Sequence, residues 1–270
     1  MATPRTDFPP VRACLFDMDG LLINTEDIYT IAHNIVLASL NSGPMTWPIK
    51  MQLQGRPAHQ AITLLLDYFN LTDKISLEEY TAKVHEVQEI EFRKSIVLPG
   101  VEKLLGDLKK SGIEIALATS SGRNHFIIKT EHIKSLFSNF RPEHQILGDD
   151  PRIPKGRGKP NPDIYLIALK AINDTLPSGT TPITPEECLV FEDGVPGVVA
   201  GRRAGMRVVW VPHAGLAGEL RGKEDEVLAG LAEGKGDDSG IEGKVGDGWA
   251  EQRVTLEDFP YEKYGMKIEA

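Results

Sequence analysis

The stretch VRACLFDMDGLLINTE, residues 11–26, decides how the chain reads. It begins as a short apolar run and ends in two carboxylates one residue apart, Asp17 and Asp19, followed by Gly20. In an extended segment residues i and i+2 project to the same side, so both carboxylates face one pocket, and the glycine lets the chain turn out of the strand. Like charges held together beside apolar surface are costly, so protons or a cation must offset them.

Three runs of the same kind follow: IEIALATS (113–120), CLVFED (188–193) and RVVWVP (207–212). Each is short, aliphatic and without polar alternation, the pattern of strands buried on both faces of a parallel sheet. Between them, PGVEKLLGDLKKSG (99–112) puts Val101, Leu104, Leu105 and Leu108 on one helical face and stops at Gly112. TPEE (184–187) opens a helical turn with Thr at the N-cap and Pro at the first helical position. Strands alternating with helices predict an α/β fold, a doubly wound, Rossmann-like parallel sheet.

Residues 22–95 break the alternation. DIYTIAHNIVLASL, AHQAITLLLDYFNL and SLEEYTAKVHEVQEIEF have helical periodicity, the last opened by Ser76 and Glu79 as a capping box. The prediction is a helical cap of residues 22–95 inserted after the first strand, placed to act as a lid, with a core of residues 10–21 and 96–270. Residues 218–252 are rich in glycine and charge and predict a flexible excursion from that core.

Composition bounds the function. The 41% hydrophobic and 26% charged content is that of an ordinary globular chain. A net charge of −9, with no cluster of Lys and Arg, argues against nucleic acid. No apolar run approaches the roughly 20 residues that span a bilayer, so no membrane is expected. The first dozen residues carry neither a signal-peptide nor a transit-peptide pattern, which predicts a cytoplasmic location and leaves the nucleus open. Cys14 and Cys188 sit inside apolar runs and read as buried thiols of a reducing compartment.

In doubly wound sheets ligands bind beyond the carboxyl ends of the strands. Those ends collect Asp17 and Asp19, Thr119 and Ser120, and Glu192 and Asp193. Oxygen-only donors favour Mg²⁺. GKPNPD (158–163) mounts Lys159 on a proline-stiffened segment that delivers an ammonium to a fixed point. An ammonium, two hydroxyls and a divalent cation suit a phosphoryl group, with Asp17 as nucleophile and Asp19 as its acid/base partner. Singly, each of these signals reads as solvated turn, surface lysine or helix cap; their joint order at strand ends selects the chemistry.

DMDG, ALATSS, GKPNPD and VFEDG resemble the four motifs of the haloacid dehalogenase-like hydrolases, in order, across residues 10–215. The resemblance implies a Mg²⁺-dependent phosphatase, an enzyme of the phosphoric monoester hydrolase class acting on a small phosphorylated metabolite. It implies that Asp17 attacks phosphorus to give an aspartyl-phosphate, and that Asp19 protonates the departing alkoxide and later deprotonates water. Thr119, Ser120 and Lys159 would hold phosphoryl oxygens. Mg²⁺ would be ligated by the Asp17 side chain, the Asp19 backbone carbonyl, Asp193 and, more weakly, Glu192.

The runs at 116–130, 146–151, 158–166 and 188–212 are similar to the eukaryotic pseudouridine-5′-phosphatases and the related glycerol-phosphate phosphatases, which points to pseudouridine 5′-phosphate or a sugar or glycerol phosphate. Asn24 and the Gly-rich insertion depart from that pattern. β-Phosphoglucomutase is also similar at the motifs, but it carries a histidine where this chain has Tyr29, so hydrolysis is favoured over phosphotransfer. Tyr29 and Arg56 are the candidate specificity residues. A non-enzymatic phosphoryl-sensing module would place its acceptor aspartate after a middle strand, and here the candidate follows the first.

Overall fold

The computed structural model describes residues 2–54, 58–232 and 243–269. Six strands, β1 (Ala13–Phe16), β2 (Glu114–Ala118), β3 (Gln145–Ile146), β4 (Cys188–Glu192), β5 (Arg207–Trp210) and β6 (Ala250–Gln252), form one sheet in the order β3-β2-β1-β4-β5-β6, every neighbour parallel. The four expected runs become its four central strands. β3 and β6 close the edges and are too short and polar to show as apolar runs.

The helices are α1 (Glu26–Ser39), α2 (Trp47–Leu53), α3 (Ala58–Tyr68), α4 (Leu77–Glu91), α5 (Val101–Lys110), α6 (Arg123–Thr130), α7 (Lys134–Phe137), α8 (Asp163–Thr175), α9 (Val195–Arg203), α10 (Ala214–Glu219) and α11 (Glu224–Leu228). Side chains alternate along β1, so Cys14 and Phe16 join α5 and the C-terminal segment, while Ala13 and Leu15 join α8 and α9. The sheet is therefore covered on both faces, as a doubly wound fold requires. Among the described residues no helix is long and apolar enough to cross a membrane.

Helices α1–α4 lie between β1 and α5 and share an apolar cluster of their own, with Leu37, Ile49, Leu65 and Tyr80 at its centre. The Ser76 hydroxyl accepts from the Glu79 amide at 3.0 Å, as the capping pattern predicts. α2, opened by the Trp47-Pro48 pair, is an element the sequence pattern did not reveal. This helical module leaves and rejoins the sheet domain through two adjacent segments, where the Asn24 amide donates to the Ile96 carbonyl and the Leu98 amide to the Leu22 carbonyl.

Of the flexible excursion expected over residues 218–252, the described flanks, 218–232 and 243–252, are docked on the core. α11 buries Val227 completely, β6 pairs with β5, and buried Arg202 grips Asp247 at 2.6 Å. A few well-spaced apolar residues and one ion pair suffice to dock a segment whose average composition reads as disordered. Residues 233–242, the middle of that stretch, lie outside the described residues.

Candidate active site

β1 ends where the Asp17 amide donates to the Phe191 carbonyl at 3.0 Å, which carries Asp17 to the mouth of the sheet beside β4. Lys159, on the loop ahead of α8, donates to Asp17 Oδ1 at 2.5 Å and to the Ala118 carbonyl at 2.9 Å, and lies 2.7 Å from Glu192 Oε1. Glu192 is further held by the Tyr165 hydroxyl at 2.5 Å and by the amides of Asp193 and Gly194. Oxygen atoms of Asp17, Glu192 and Asp193 fall within 4.8 Å of one another, all buried. Gly20 has φ +78°, and a β-carbon there would meet Asp193 Oδ2 at 2.2 Å, so the DMDG loop needs glycine to close over this cluster.

Three carboxylates face one ammonium. Burial pushes the Asp17 carboxyl up to about 7; Lys159 pulls it down, while Glu192 and Asp19 push it further up. Burial, Glu26 and Asp17 raise Asp193 well above the usual carboxylate range. Lys159 stays charged, since the attraction of Asp17 and Glu192 outweighs its burial. The Asp193 carboxylate makes no hydrogen bond among the described residues, whereas both Glu192 oxygens are engaged. Excess negative charge on buried oxygen donors fits a hard divalent cation such as Mg²⁺.

Asp19 has different company. Its Oδ1 accepts from the Thr25 hydroxyl at 2.7 Å and from Lys129 Nζ at 2.6 Å, and its Oδ2 from the Ser121 hydroxyl at 2.7 Å. Lys129 also donates to the Tyr29 hydroxyl at 2.9 Å and lies over the ring of Phe92. Burial pushes the Asp19 carboxyl up, but Lys129 and the two hydroxyls outweigh it and hold it below its ordinary value. The two aspartates are thus pushed in opposite directions, Asp17 by burial and its carboxylate neighbours and Asp19 by Lys129.

Asp17, Asp19, Tyr29, Ser120, Lys159, Glu192 and Asp193 line one cavity of about 820 Å³ between the sheet domain and the helical module. Thr119 stands behind that wall, fully buried, accepting from the Ser121 amide and 3.5 Å from Asp19. Ser120 is exposed on the cavity side. Arg56 lies outside the described residues.

Sequence reasoning missed Lys129, Ser121, Thr25 and Tyr165. For Lys129 there was a faint signal: it falls three residues after Phe126, so on the same helical side as an apolar residue. In α6 the usual order is reversed, with Ile127 exposed and Lys129 wholly buried.

A family model for haloacid dehalogenase-like hydrolases matches residues 11–205. The chain belongs to this family. Among curated relatives, the Saccharomyces cerevisiae protein named "Probable pseudouridine-5′-phosphatase" is 45% identical over 223 residues, 83% of this chain and 91% of its own length. The mitochondrial (DL)-glycerol-3-phosphatase 1 of Arabidopsis thaliana is 36% identical over 227 residues, 84% of this chain and 72% of its own length. The crystal structure of a β-phosphoglucomutase from Clostridium difficile is superposable with a TM-score of 0.60 at 20% identity, over 94% of this chain and 97% of that one. That likeness speaks for the fold alone. In this member of the haloacid dehalogenase-like hydrolases, the residues that line the cavity include ones that follow β1, β2 and β4 and Lys159 on the loop ahead of α8.

Proposed function

We propose that the chain is a Mg²⁺-dependent phosphatase of small phosphate monoesters, acting through an aspartyl-phosphate on Asp17. The observation that carries this reading is the charge arrangement at the floor of the cavity, where buried Asp17 and Glu192 share a single ammonium at 2.5–2.7 Å and the buried Asp193 carboxylate adds a third charge within 4.8 Å of theirs. A site with surplus buried carboxylate and a fixed cation is built to bind a metal and a dianionic ester together. The relatives named as pseudouridine-5′- and glycerol-3-phosphatases support the same class.

In this reading Asp17 and Asp193 would hold Mg²⁺ with the Asp19 carbonyl, and the bound ion would supply charge neutralisation for the transferring group. Glu192 positions Lys159, its own oxygens being spent on Lys159, Tyr165 and two amides. Lys159 and Ser120, which line the cavity, bind phosphoryl oxygens, with Thr119 supporting the turn from behind. Asp17 Oδ attacks phosphorus as the ester bond breaks; Asp19 delivers a proton to the departing oxygen and then takes one from the water that cleaves the acyl phosphate. Helices α1–α4 serve as the cap that closes over the substrate, and Tyr29, bonded to Lys129, links that cap to the chemistry.

The test is phosphate release from pseudouridine 5′-phosphate, glycerol 3-phosphate and hexose phosphates, with Mg²⁺ and with EDTA. Metal-dependent turnover of at least one ester is expected. A folded protein that becomes phosphorylated once and does not turn over would replace this reading with a phosphoryl sensor.

A further inference from the structure

Three contacts outside the cavity meet at His213, the residue that caps α10 of the sheet domain. Its Nδ1 accepts from the Gly215 amide at 3.0 Å, so the ring proton of that tautomer is on Nε2. Nε2 lies 3.3 Å from Asp27 Oδ1, in the first turn of α1. The ring itself stacks on Trp47, the first residue of α2, with centroids 4.7 Å and planes 22° apart. One side chain of the sheet domain thus holds two different helices of the helical module.

Both partners are prepared for it. α2 divides its apolar side chains: Ile49 joins the module's own cluster, whereas Trp47 and Met51, one turn apart, pack against the sheet-domain cluster that contains Leu216 of α10. Lys50 adds a cation–π contact, its Nζ 4.5 Å from the Trp47 ring centroid. On α1, Asp27 Oδ2 accepts from the Asn24 side-chain amide at 2.8 Å, which leaves Oδ1 for His213. Asn24 is also a hinge residue, since its backbone amide donates to the Ile96 carbonyl where the module rejoins the core. An aspartate at position 24 would face Asp27 as a like charge, whereas asparagine donates to it; this gives the departure at Asn24 a role. A module joined by two adjacent segments swings about them unless a contact beyond the hinge opposes the motion.

We propose that His213 is a positioning residue that latches the helical module to α10 and so sets the ratio of closed to open cavity without touching substrate. Its effect on turnover rests on the reading above that the cavity takes a phosphate monoester; the latch itself does not. A substrate that binds the closed form has its apparent affinity reduced by the fraction of protein that is closed. Loosening the latch therefore raises KM and does not lower kcat, because product leaves through the open form.

Two variants separate the latch from the cap of α10. His213→Asn keeps an oxygen acceptor for the Gly215 amide but loses the ring that stacks on Trp47 and reaches Asp27. Asp27→Ala, at an exposed position, removes the partner on α1 alone. Spin labels on Asp67→Cys in α3 and Lys170→Cys in α8, both exposed, report the distance between module and core by electron paramagnetic resonance, while buried Cys14 and Cys188 stay unlabelled. The open-to-closed ratio is expected to rise about tenfold in His213→Asn, the loss of one ring stack and one half-exposed pair, and less in Asp27→Ala. Combining the two adds nothing to His213→Asn, since both remove one contact, whereas independent structural effects would add. KM for pseudouridine 5′-phosphate or glycerol 3-phosphate, whichever the wild type hydrolyses, rises in the same order with kcat undiminished. Distances unchanged in both variants, additive effects in the combination, or a widened distribution with unchanged KM overturns the proposal. If the wild type hydrolyses neither ester, the phosphatase reading loses its support while the distances still decide the latch.

Discussion

Lys129 Nζ lies 2.6 Å from Asp19 Oδ1 and 2.9 Å from the Tyr29 hydroxyl, so one wholly buried ammonium ties the second aspartate of the site to the first helix of the helical module. Lys129→Met removes the cation and leaves Asp19 buried with hydroxyl partners alone. A broken buried pair costs about 3–5 kcal/mol, because the remaining charge is uncompensated. The Asp19 carboxyl then rises, and the limb of the pH–rate profile that reports it moves to higher pH while kcat falls at least about tenfold. A variant with lowered stability but an unmoved profile would restrict Lys129 to a structural role.

Asp17→Asn and Asp19→Asn separate on stability as well as on rate. Asp17 is pushed up by burial and by its carboxylate neighbours, so replacing it with a neutral amide relieves repulsion, and Lys159 keeps Glu192 as partner. Turnover is expected to fall by at least about 10³-fold with unfolding temperature unchanged or higher in the absence of metal. Asp19 is held below its ordinary value by Lys129, so Asp19→Asn strands a buried ammonium and lowers stability, with a rate loss of about 10²–10⁴. Parallel thermal unfolding and steady-state kinetics check both, and substantial hydrolysis by Asp17→Asn would end its assignment as nucleophile.

The helical module also touches the sheet domain at α10. Trp47 stacks on His213 with ring centroids 4.7 Å apart, and a β-carbon at Gly215 would sit 1.9 Å from Trp47 Nε1. Gly215→Ala therefore displaces the indole from this contact. Overpacking of this kind costs about 1–3 kcal/mol, and here the loss falls on the contact between module and core, so KM is expected to change more than the fold. Unfolding curves with kcat and KM measured side by side decide this, and unchanged values of all three would show that α2 shifts freely.

How much of this was legible in the sequence follows from where each signal lives. β1, β2, β4 and β5 were visible because strands buried on both faces are apolar throughout, and Asp17, Asp19, Glu192 and Asp193 stood out as charges ending those runs. Gln145–Ile146 and Ala250–Gln252 were not, since edge strands of two and three residues are fixed by pairing rather than by composition. Lys129 and Tyr165 were hidden for another reason: a polar residue on a helix is normally solvated, and only the rotation of α6 and α8 against their neighbours turns these inward.

Metal and pH act on the same carboxylates, and the sign of the coupling can be worked out from Asp17. Its carboxyl is raised from an ordinary value near 3.8 to about 7 in the folded protein. Between those values the folded state binds more protons than the unfolded chain, so the contribution of Asp17 to stability is fully present below about 4 and is lost as pH rises through about 7. Asp193, raised by burial and its acidic neighbours, adds to the same trend. Mg²⁺ requires the ionised carboxylates and competes with those protons, so its stabilisation grows with pH, reaching about 2.7 kcal/mol at a hundredfold excess over its dissociation constant. Thermal unfolding at about pH 5.5 and pH 8, with Mg²⁺ and with EDTA, is expected to show a metal-dependent increase that is larger at the higher pH and absent in Asp193→Asn. A shift of equal size at both pH values, or one that survives Asp193→Asn, would place the ion elsewhere than on Asp17 and Asp193.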